Sequence, residues 1–269
     1  MGEKMKWSKL YLVFVFMLLY IPIAYLIFFS FNEGGTMNSF TGFTFEHYTN
    51  VLQDQRLIQI VVQTLLLALL SSFISTIIGT LGAIGIYYVK NDKMQNMLLN
   101  ANNILLVSPD VIIGSSFLLL FTIVGYQLGF TSVLLAHIAF SIPIVVLMVL
   151  PSLEEMNDSM IKAAQDLGAE WLQILWHVIL PNIIPGILAG FFMAFTYSLD
   201  DFAVTFFVTG NGFTTLSVEI YSRARQGVSL EINALSTLLF IAAFILVLGY
   251  YYISLYNKRT RRVKKVVAE

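Results

Sequence analysis

The sequence predicts an all-α, multi-pass membrane protein with six transmembrane helices. Hydrophobic residues make up 58% of the 269 residues and charged residues only 12%, and the mean hydropathy is +0.80. Soluble domains typically carry about 25% charged residues. The chain has no cysteine and three scattered histidines, which argues against a disulfide framework and a metal cluster. A net charge of −1 argues against nucleic-acid binding.

Six apolar runs, each long enough to cross about 30 Å of hydrocarbon, are expected to form one transmembrane domain over residues 1–269. They lie at about 10–31, 57–89, 104–124, 130–150, 183–208 and 233–256. The first run is too long for a signal-peptide core, so we expect an uncleaved helix. Two runs carry small residues at every fourth position, a pattern that lets helices approach closely in lipid. These residues are Ser71, Ser75, Gly79 and Ala83 in the second run, and Gly186, Gly190, Ala194 and Ser198 in the fifth.

The basic residues indicate which segments face the cytoplasm. Twelve of the 15 lysines and arginines lie in the two terminal segments, between the second and third runs, or between the fourth and fifth. Lys and Arg are enriched in cytoplasmic segments of membrane proteins. Both termini and residues 157–181 are therefore predicted to be cytoplasmic, and the basic C-terminal tail is interpreted as a membrane-surface anchor.

Residues 157–181 form a polar interruption that predicts two short helices with a break between them. Asn157, Asp158 and Ser159 are each suited to cap the first helix, and Gly168 is suited to end it in a left-handed conformation. The second helix is expected over about Trp171–Leu180, stopping at Pro181. Because both ends would be held by membrane spans, this unit would present a rigid knob to a partner. An ordinary helical hairpin is the alternative.

Ser108-Pro109-Asp110 lies within the third predicted span and leaves two interpretations open. Ser, Pro and Asp are typical of a helix start. An ionisable residue at membrane depth is equally typical of a solute path. His137, in the fourth span, is more typical of a packed, hydrogen-bonded residue than of a ligand.

Two adjacent carboxylates, Asp200 and Asp201, lie deep in the fifth span near Tyr197, and that span contains no Lys or Arg. Asp201 falls on the face of the small residues, whereas Asp200 is turned about 100° away. Carboxylates in a low dielectric require a counter-charge, and a cationic substrate would provide one. The alternative is that these residues cap a helix broken near the outer surface.

The outer loop, residues 209–232, combines charges with an aromatic ring. Glu219 and Tyr221 together suit an ammonium group, through a carboxylate and a ring face. Mutual salt bridges among the charged residues of this loop are an equal alternative. Those residues are Glu219, Arg223, Arg225 and Glu231.

The spacing in residues 157–181 resembles the EAA loop of ABC importer permeases. The family pattern is E-A-A, three residues, G, nine residues and I-x-L-P. Lys162-Ala163-Ala164, Gly168 and Val178-Ile179-Leu180-Pro181 match this spacing, with Lys in place of the usual Glu and Val in place of the first Ile. The resemblance implies a MetI-like permease fold whose loop docks into a separate ATPase subunit. It implies as coupling residues Lys162, Ala163, Ala164, Asp166, Leu167, Gly168 and Ala169.

Three further segments are similar to permease subunits of spermidine/putrescine importers: SPD (108–110), SLDDFAVTFFVTG (198–210) and TTLSVEIYSRARQGVSLEINALST (214–237). The resemblance implies a second homologous permease as heterodimer partner, an ATPase dimer that binds ATP and Mg²⁺, and an extracytoplasmic polyamine-binding protein, in a bacterial cytoplasmic membrane. This chain lacks G-x-x-x-x-G-K-[ST], so we expect neither a cofactor nor an enzymatic activity of its own. The expected path residues are Asp110, Tyr197, Asp200, Asp201, Glu219 and Tyr221.

Two other functions stay open. An ABC permease for another solute, such as iron, sulfate or phosphonate, would share the fold. A carrier driven by a proton gradient would work without an ATPase, although six unrepeated spans are few for a carrier built from inverted repeats.

Overall fold

A computed structural model describes residues 2–227 and 229–245 of the chain. The chain divides into two compact units, one within residues 1–58 and 222–269 and the other Gln59–Tyr221. Among the described residues, extended pairing is limited to an isolated bridge between Asn32 and Phe43. The predicted all-α class is confirmed.

Twelve α-helices lie in the described part of the chain. They are α1 (Gly2–Phe29), α2 (Glu46–Gln53), α3 (Gln55–Tyr87), α4 (Asp92–Val107), α5 (Asp110–Val124), α6 (Phe130–Glu154), α7 (Asp158–Asp166), α8 (Trp171–Ile174), α9 (Leu180–Asp200), α10 (Ala203–Val208), α11 (Leu216–Gln226) and α12 (Leu230–Ile245). A π-helical segment, Leu175–Ile179, joins α8 to α9.

Four helical stretches of the described residues are long and apolar enough to cross a membrane, and the bent pair α4–α5 would make a fifth. The four are Lys9–Phe29, Gln55–Tyr87, Phe130–Glu154 and Trp171–Asp200. The end of the predicted sixth span and the basic tail lie outside the described residues. The count of six spans therefore stays a prediction.

The third predicted span is not one helix over 104–124. α4 already begins at Asp92, where the Asn91 side chain accepts hydrogen bonds from two backbone N–H groups, and α5 is bent by 101° from α4. Pro109 has no N–H with which to continue α4, and it favours an extended conformation at Ser108. The Ser108 hydroxyl donates to the carbonyl of Ile104, at 2.6 Å. Ser108 therefore closes α4, and α5 begins at Asp110, which agrees with the helix-start interpretation of this segment except that Pro109, not Ser108, occupies the N-cap position.

The expected stop at Pro181 is also wrong, because Trp171–Asp200 is one helical run. A proline within a helix lacks a donor and crowds the carbonyl four residues earlier. The π-helical segment widens the turn just before Pro181, which accommodates the ring. The side-chain amide of Asn182 donates to the carbonyl of Val178, at 2.7 Å. The run ends at Asp200, so the predicted helix over 183–208 is divided into α9 and α10.

α6 lies between the two rows of small residues in the unit Gln59–Tyr221. A Cβ added to Gly79 of α3 would lie 2.6 Å from Cβ of Val145, and one added to Gly190 of α9 would lie 3.2 Å from its Cγ1. At the far ends of the rows, the hydroxyl oxygens of Ser71 and Ser198 are 2.9 Å apart. The predicted close packing is confirmed, and it holds the helices together as expected in lipid.

Arg223 lies between two carboxylates in the other unit. Its Nη2 is 3.5 Å from Oδ2 of Asp54, and its Nη1 is 3.6 Å from Oε2 of Glu231. This arrangement agrees with the salt-bridge alternative for the charges of the outer loop.

Candidate functional site

Residues 157–181 contain the predicted helix–Gly–helix unit. The Asn157 side chain caps α7 by accepting a hydrogen bond from the N–H of Ser159, at 2.9 Å. Gly168 has φ of +81°. The bonds Gly168 N–H to Gln165 O (2.9 Å) and Ala169 N–H to Ala164 O (3.0 Å) close the end of the helix, as in a Schellman motif. The left-handed glycine is confirmed, and Asn157 is the one of the three candidate residues that caps the helix.

The unit has a buried side that fixes it to the bundle. Ile161 and Ile174 belong to one buried cluster, and Ala164 and Ala169 are half-buried against it. The Trp171 ring packs edge-on against Tyr88, with ring centroids 5.0 Å apart. These contacts give the turn between α7 and α8 a defined position.

The opposite side of the unit presents apolar side chains to the exterior. Leu167 is 89% exposed and Leu172 is 63% exposed. The remaining predicted coupling residues on this side are also exposed: Lys162, Ala163, Asp166 and Gly168. Exposed leucines on a polar, rigidly held turn are typical of a protein-binding surface.

Asp201 lies at the break between α9 and α10 and caps α10. Its Oδ1 accepts from the N–H of Val204 at 3.2 Å, and its Oδ2 accepts from the N–H and hydroxyl of Thr205 at 2.8 and 2.7 Å. The carboxylate is buried. Asp201 is therefore not the unpaired carboxylate that we predicted, and the alternative of a capped, broken helix is correct for this residue.

His137 of α6 is buried beside this cap. Its Nδ1 is 2.7 Å from the Ser198 hydroxyl oxygen, and its Nε2 is 2.9 Å from the Thr205 hydroxyl oxygen. The same Nε2 lies 3.4 Å from Oδ2 of Asp201. The prediction of a packed, hydrogen-bonded histidine is confirmed.

Asp200 differs from its neighbour because its side chain is exposed. It follows Tyr197 by three positions on α9, so the two side chains share a face. The Tyr197 hydroxyl donates to Oδ1 of Asp110, at 2.9 Å. The structure thus brings Asp110 and Tyr197 together, with Asp200 on the same side of the helix.

This carboxylate face lies at the carbonyl end of α9, where the helix dipole is negative. Lys162 is the only Lys or Arg between Lys93 and Arg223 in the sequence. We call Asp110, Tyr197 and Asp200 the acidic face below. Its charge distribution favours a cation.

Glu219 and Tyr221 do not form the predicted pair. They are two positions apart on α11, which turns their side chains about 200° from each other. Glu219 is 6% exposed and Tyr221 is 41% exposed. The Tyr221 ring instead packs against Phe202, with centroids 4.4 Å apart.

A comparison with known families explains the combination of a membrane bundle and an exposed helical loop. Residues 75–265 match the family described as "Binding-protein-dependent transport system inner membrane component". The chain belongs to this family. It is therefore a membrane component of a transport system, as the resemblance to ABC importer permeases predicted, and not an enzyme.

The permease is similar to named members along most of its length. It is 37% identical over 238 residues to the "Spermidine/putrescine transport system permease protein PotC" of Escherichia coli (strain K12), covering 87% of this chain and 89% of the relative. A chain of a bacterial ABC transporter involved in the import of alginate, an acidic polysaccharide, has a TM-score of 0.74 at 17% identity, covering 94% of this chain and 96% of that one. A chain of the inward-facing MetNI methionine ABC transporter has a TM-score of 0.61 at 20% identity, covering 74% and 97%. The predicted MetI-like fold is confirmed.

Sequence reasoning missed two contacts at the break between α9 and α10. His137 was predicted to be packed and hydrogen-bonded, but its contact with Asp201, 64 positions away along the chain, was not predicted. Thr205 was not singled out, although it donates to Asp201 through both its backbone and its hydroxyl. The local signal for a helix start at this point is Asp201 itself, because Asp is favoured just before the first turn of a helix.

Proposed function

We propose that this permease forms half of the translocation path of an ATP-driven importer for polyamines such as spermidine and putrescine. The observation that carries the proposal is the acidic face at the end of α9. Polyamines provide the positive charge that these carboxylates require at membrane depth. The name of the Escherichia coli relative supports the same substrate class.

The acidic face also fits the apolar part of a polyamine. Tyr197 is 39% exposed, and its ring packs edge-on against Phe140, with centroids 5.1 Å apart. An ordered aromatic ring beside a carboxylate favours an ammonium group through both charge and the ring face. Methylene segments between the ammonium groups would lie against the same ring.

The exposed turn between α7 and α8 is the proposed docking point for a separate ATPase subunit. Leu167 and Leu172 would enter an apolar groove on that subunit, while Lys162 and Asp166 would contact its polar rim. ATP and Mg²⁺ would be bound by a dimer of ATPase subunits and not by this chain. The basic residues support a cytoplasmic position for this turn and for both termini.

The docking turn and the acidic face lie at opposite ends of one helical run. Trp171–Asp200 contains 30 residues, which corresponds to about 45 Å at 1.5 Å per residue. A displacement of the turn by ATPase closure would therefore reach Asp200 through continuous helix. We propose that this rigid-body movement alternates access to the path.

The remaining partners follow from the family. Its description as binding-protein-dependent supports a binding protein that delivers the polyamine at the extracytoplasmic face of a bacterial cytoplasmic membrane. A second homologous permease would complete the path as a heterodimer. Neither the fold nor the family determines the substrate, since a transporter of an acidic polysaccharide shares the fold.

The test is ATP-dependent uptake in proteoliposomes that contain the permease, its partner permease and the ATPase, with the binding protein added outside. We expect radiolabelled spermidine to accumulate only with ATP and binding protein present. Stimulation by another solute, with no response to spermidine or putrescine, would contradict the substrate assignment. Uptake that persists without the ATPase and collapses with the proton gradient would contradict the transporter class.

A further inference from the structure

His137 contacts both sides of the break in the fifth span. Its Nδ1 meets Ser198 in the last turn of α9, and its Nε2 meets Thr205 in the first turn of α10, at 2.7 and 2.9 Å. All three side chains are at most 1% exposed. One imidazole ring therefore links α9 to α10. Along the chain, these two helices are separated only by Asp201 and Phe202.

The direction of each hydrogen bond follows from the acceptors. The Asp201 carboxylate only accepts, so the Thr205 hydroxyl donates to it, and the Thr205 oxygen accepts from Nε2–H of His137. In the neutral ring, Nδ1 then accepts from the Ser198 hydroxyl. The Ser198 oxygen also lies 2.9 Å from that of Ser71, whose hydroxyl has the Ala68 carbonyl as a second acceptor at 3.2 Å. A chain of hydrogen-bonding side chains thus links α3, α9, α6 and α10.

The break keeps the end of α9 chemically distinct from a helix interior. A helix that continued through Asp201 would pair the last carbonyls of α9 with the following N–H groups and remove the negative end of its dipole. The Asp201 cap and the His137 bridge both favour the broken form. The Asp201 cap acts only within α10. The hydrogen bonds of His137 also connect α10 to α6 and α9, and this connection fixes the direction of α10.

We propose that His137 is a positioning residue for the substrate path, which holds the break open so that the acidic face keeps its negative potential. The effect of His137 on transport rests on the proposed function. The break itself, however, is testable without any substrate.

The test uses the absence of cysteine from the sequence. Asp200→Cys introduces the chain's only thiol at the end of α9, in the assembled transporter with cysteine-free partner subunits. The ratio of labelling rates by a cationic and a neutral methanethiosulfonate reagent reports the local potential. We compare this ratio in three proteins that carry Asp200→Cys: one with His137 intact, one with His137→Leu and one with His137→Gln. The Gln amide can donate toward Thr205.

We expect the cationic-to-neutral ratio to fall at least about fivefold in His137→Leu and to recover largely in His137→Gln. Ser141→Ala is the matched control, because Ser141 lies one turn along α6 and its buried hydroxyl has no hydrogen-bond partner among the described residues. It should leave the ratio unchanged. With Asp200 intact, His137→Leu should raise the KM for spermidine severalfold.

Thr205→Val provides a second route to the same conclusion if His137→Leu does not fold. It removes the hydroxyl between His137 and Asp201 and keeps the side-chain volume, so the ratio should fall in the same direction. An unchanged ratio in the folded His137→Leu or Thr205→Val protein would overturn the positioning role. If the cationic-to-neutral labelling ratio falls but the wild-type transporter does not take up spermidine, the positioning role is supported and the polyamine assignment is rejected.

Discussion

Tyr197 of α9 donates a 2.9 Å hydrogen bond to the Asp110 carboxylate, which lies 87 positions earlier at the start of α5. This bond joins the two interrupted spans of the permease, since α5 follows the bend at Pro109 and α9 ends at Asp200. Both residues were expected to line the path, and the structure places them in contact. Their effects on transport should therefore depend on each other.

A double-mutant cycle tests this dependence. Tyr197→Phe keeps the ring and removes the donor, and Asp110→Asn keeps the shape and removes the charge. We expect each change to raise the KM for spermidine, with a coupling energy of about 0.5–1.5 kcal/mol between them. Uptake kinetics of both single variants and the double variant measure the coupling. Strictly additive effects would show that the bond has no part in transport.

The two adjacent aspartates should give different phenotypes. Asp200→Asn should raise the KM for spermidine by about tenfold, or about 1.4 kcal/mol, with unchanged thermal stability, because the side chain is exposed. Asp201→Asn should instead lower stability by about 1–3 kcal/mol, since the amide nitrogen accepts no hydrogen bond and leaves the donors of either Val204 or Thr205 without an acceptor. Thermal unfolding in detergent and uptake kinetics separate these effects. Equal losses of substrate affinity with no change in stability would contradict the division of roles.

Gly168→Asp should abolish ATP-driven uptake while leaving a normal amount of protein in the membrane. A Cβ at this position meets nothing within 4 Å of this chain, so the intramolecular cost is limited to about 1–2 kcal/mol for a left-handed residue. The larger effect would come from a partner surface.

Gly125→Asp is the matched control for Gly168→Asp. Gly125 ends α5 with φ of +70°, and a Cβ there also meets nothing within 4 Å. The conformational strain is thus similar, but the residue lies outside the docking turn. Stimulation of ATPase activity by loaded binding protein should survive in Gly125→Asp and be lost in Gly168→Asp. Equal behaviour of the two variants would argue against docking at Gly168.

Gly79→Ala should destabilise the permease by about 1–3 kcal/mol, the usual range for overpacking. Its Cβ would lie 2.6 Å from Cβ of Val145 and 3.1 Å from the carbonyl oxygen of Ile142. Gly85→Ala, on the same helix but with nothing within 4 Å, should be neutral or stabilising by up to about 1 kcal/mol. Thermal unfolding in detergent compares the two. A stable Gly79→Ala protein would mean that α3 and α6 are packed less closely than described.

Features that repeat along the chain could be predicted from the sequence. The apolar runs and the small residues at every fourth position depend on helical periodicity, so a local pattern determines them. Gly168 was also predictable, because a glycine after a capped polar helix is a local signal for a left-handed turn. These features needed no knowledge of distant contacts.

The breaks in the spans could be given only as alternatives. Phe202 to Val208 contains no Gly or Pro that would stop a helix, and the contacts of Asp201 with Thr205 and with distant His137 are tertiary. The start of α4 was missed because its amides lower the hydropathy of residues 92–103. Pro181 led to the opposite error, a predicted helix end where the helix continues. Proline usually stops a helix, but here the preceding turn is widened and accommodates the ring.

The π-helical turn before Pro181 also affects the orientation of the short helix α8 about the axis of α9. One residue inserted into a helix rotates the preceding segment by about 100° about the axis relative to the rest. The direction in which the Leu172 side chain points about the axis of α9 therefore depends on that extra residue. Deleting one residue from this turn would make the helix more regular, yet would direct Leu172 toward a different side of it. If the turn between α7 and α8 docks as proposed, the irregular turn is what presents Leu172 to the partner.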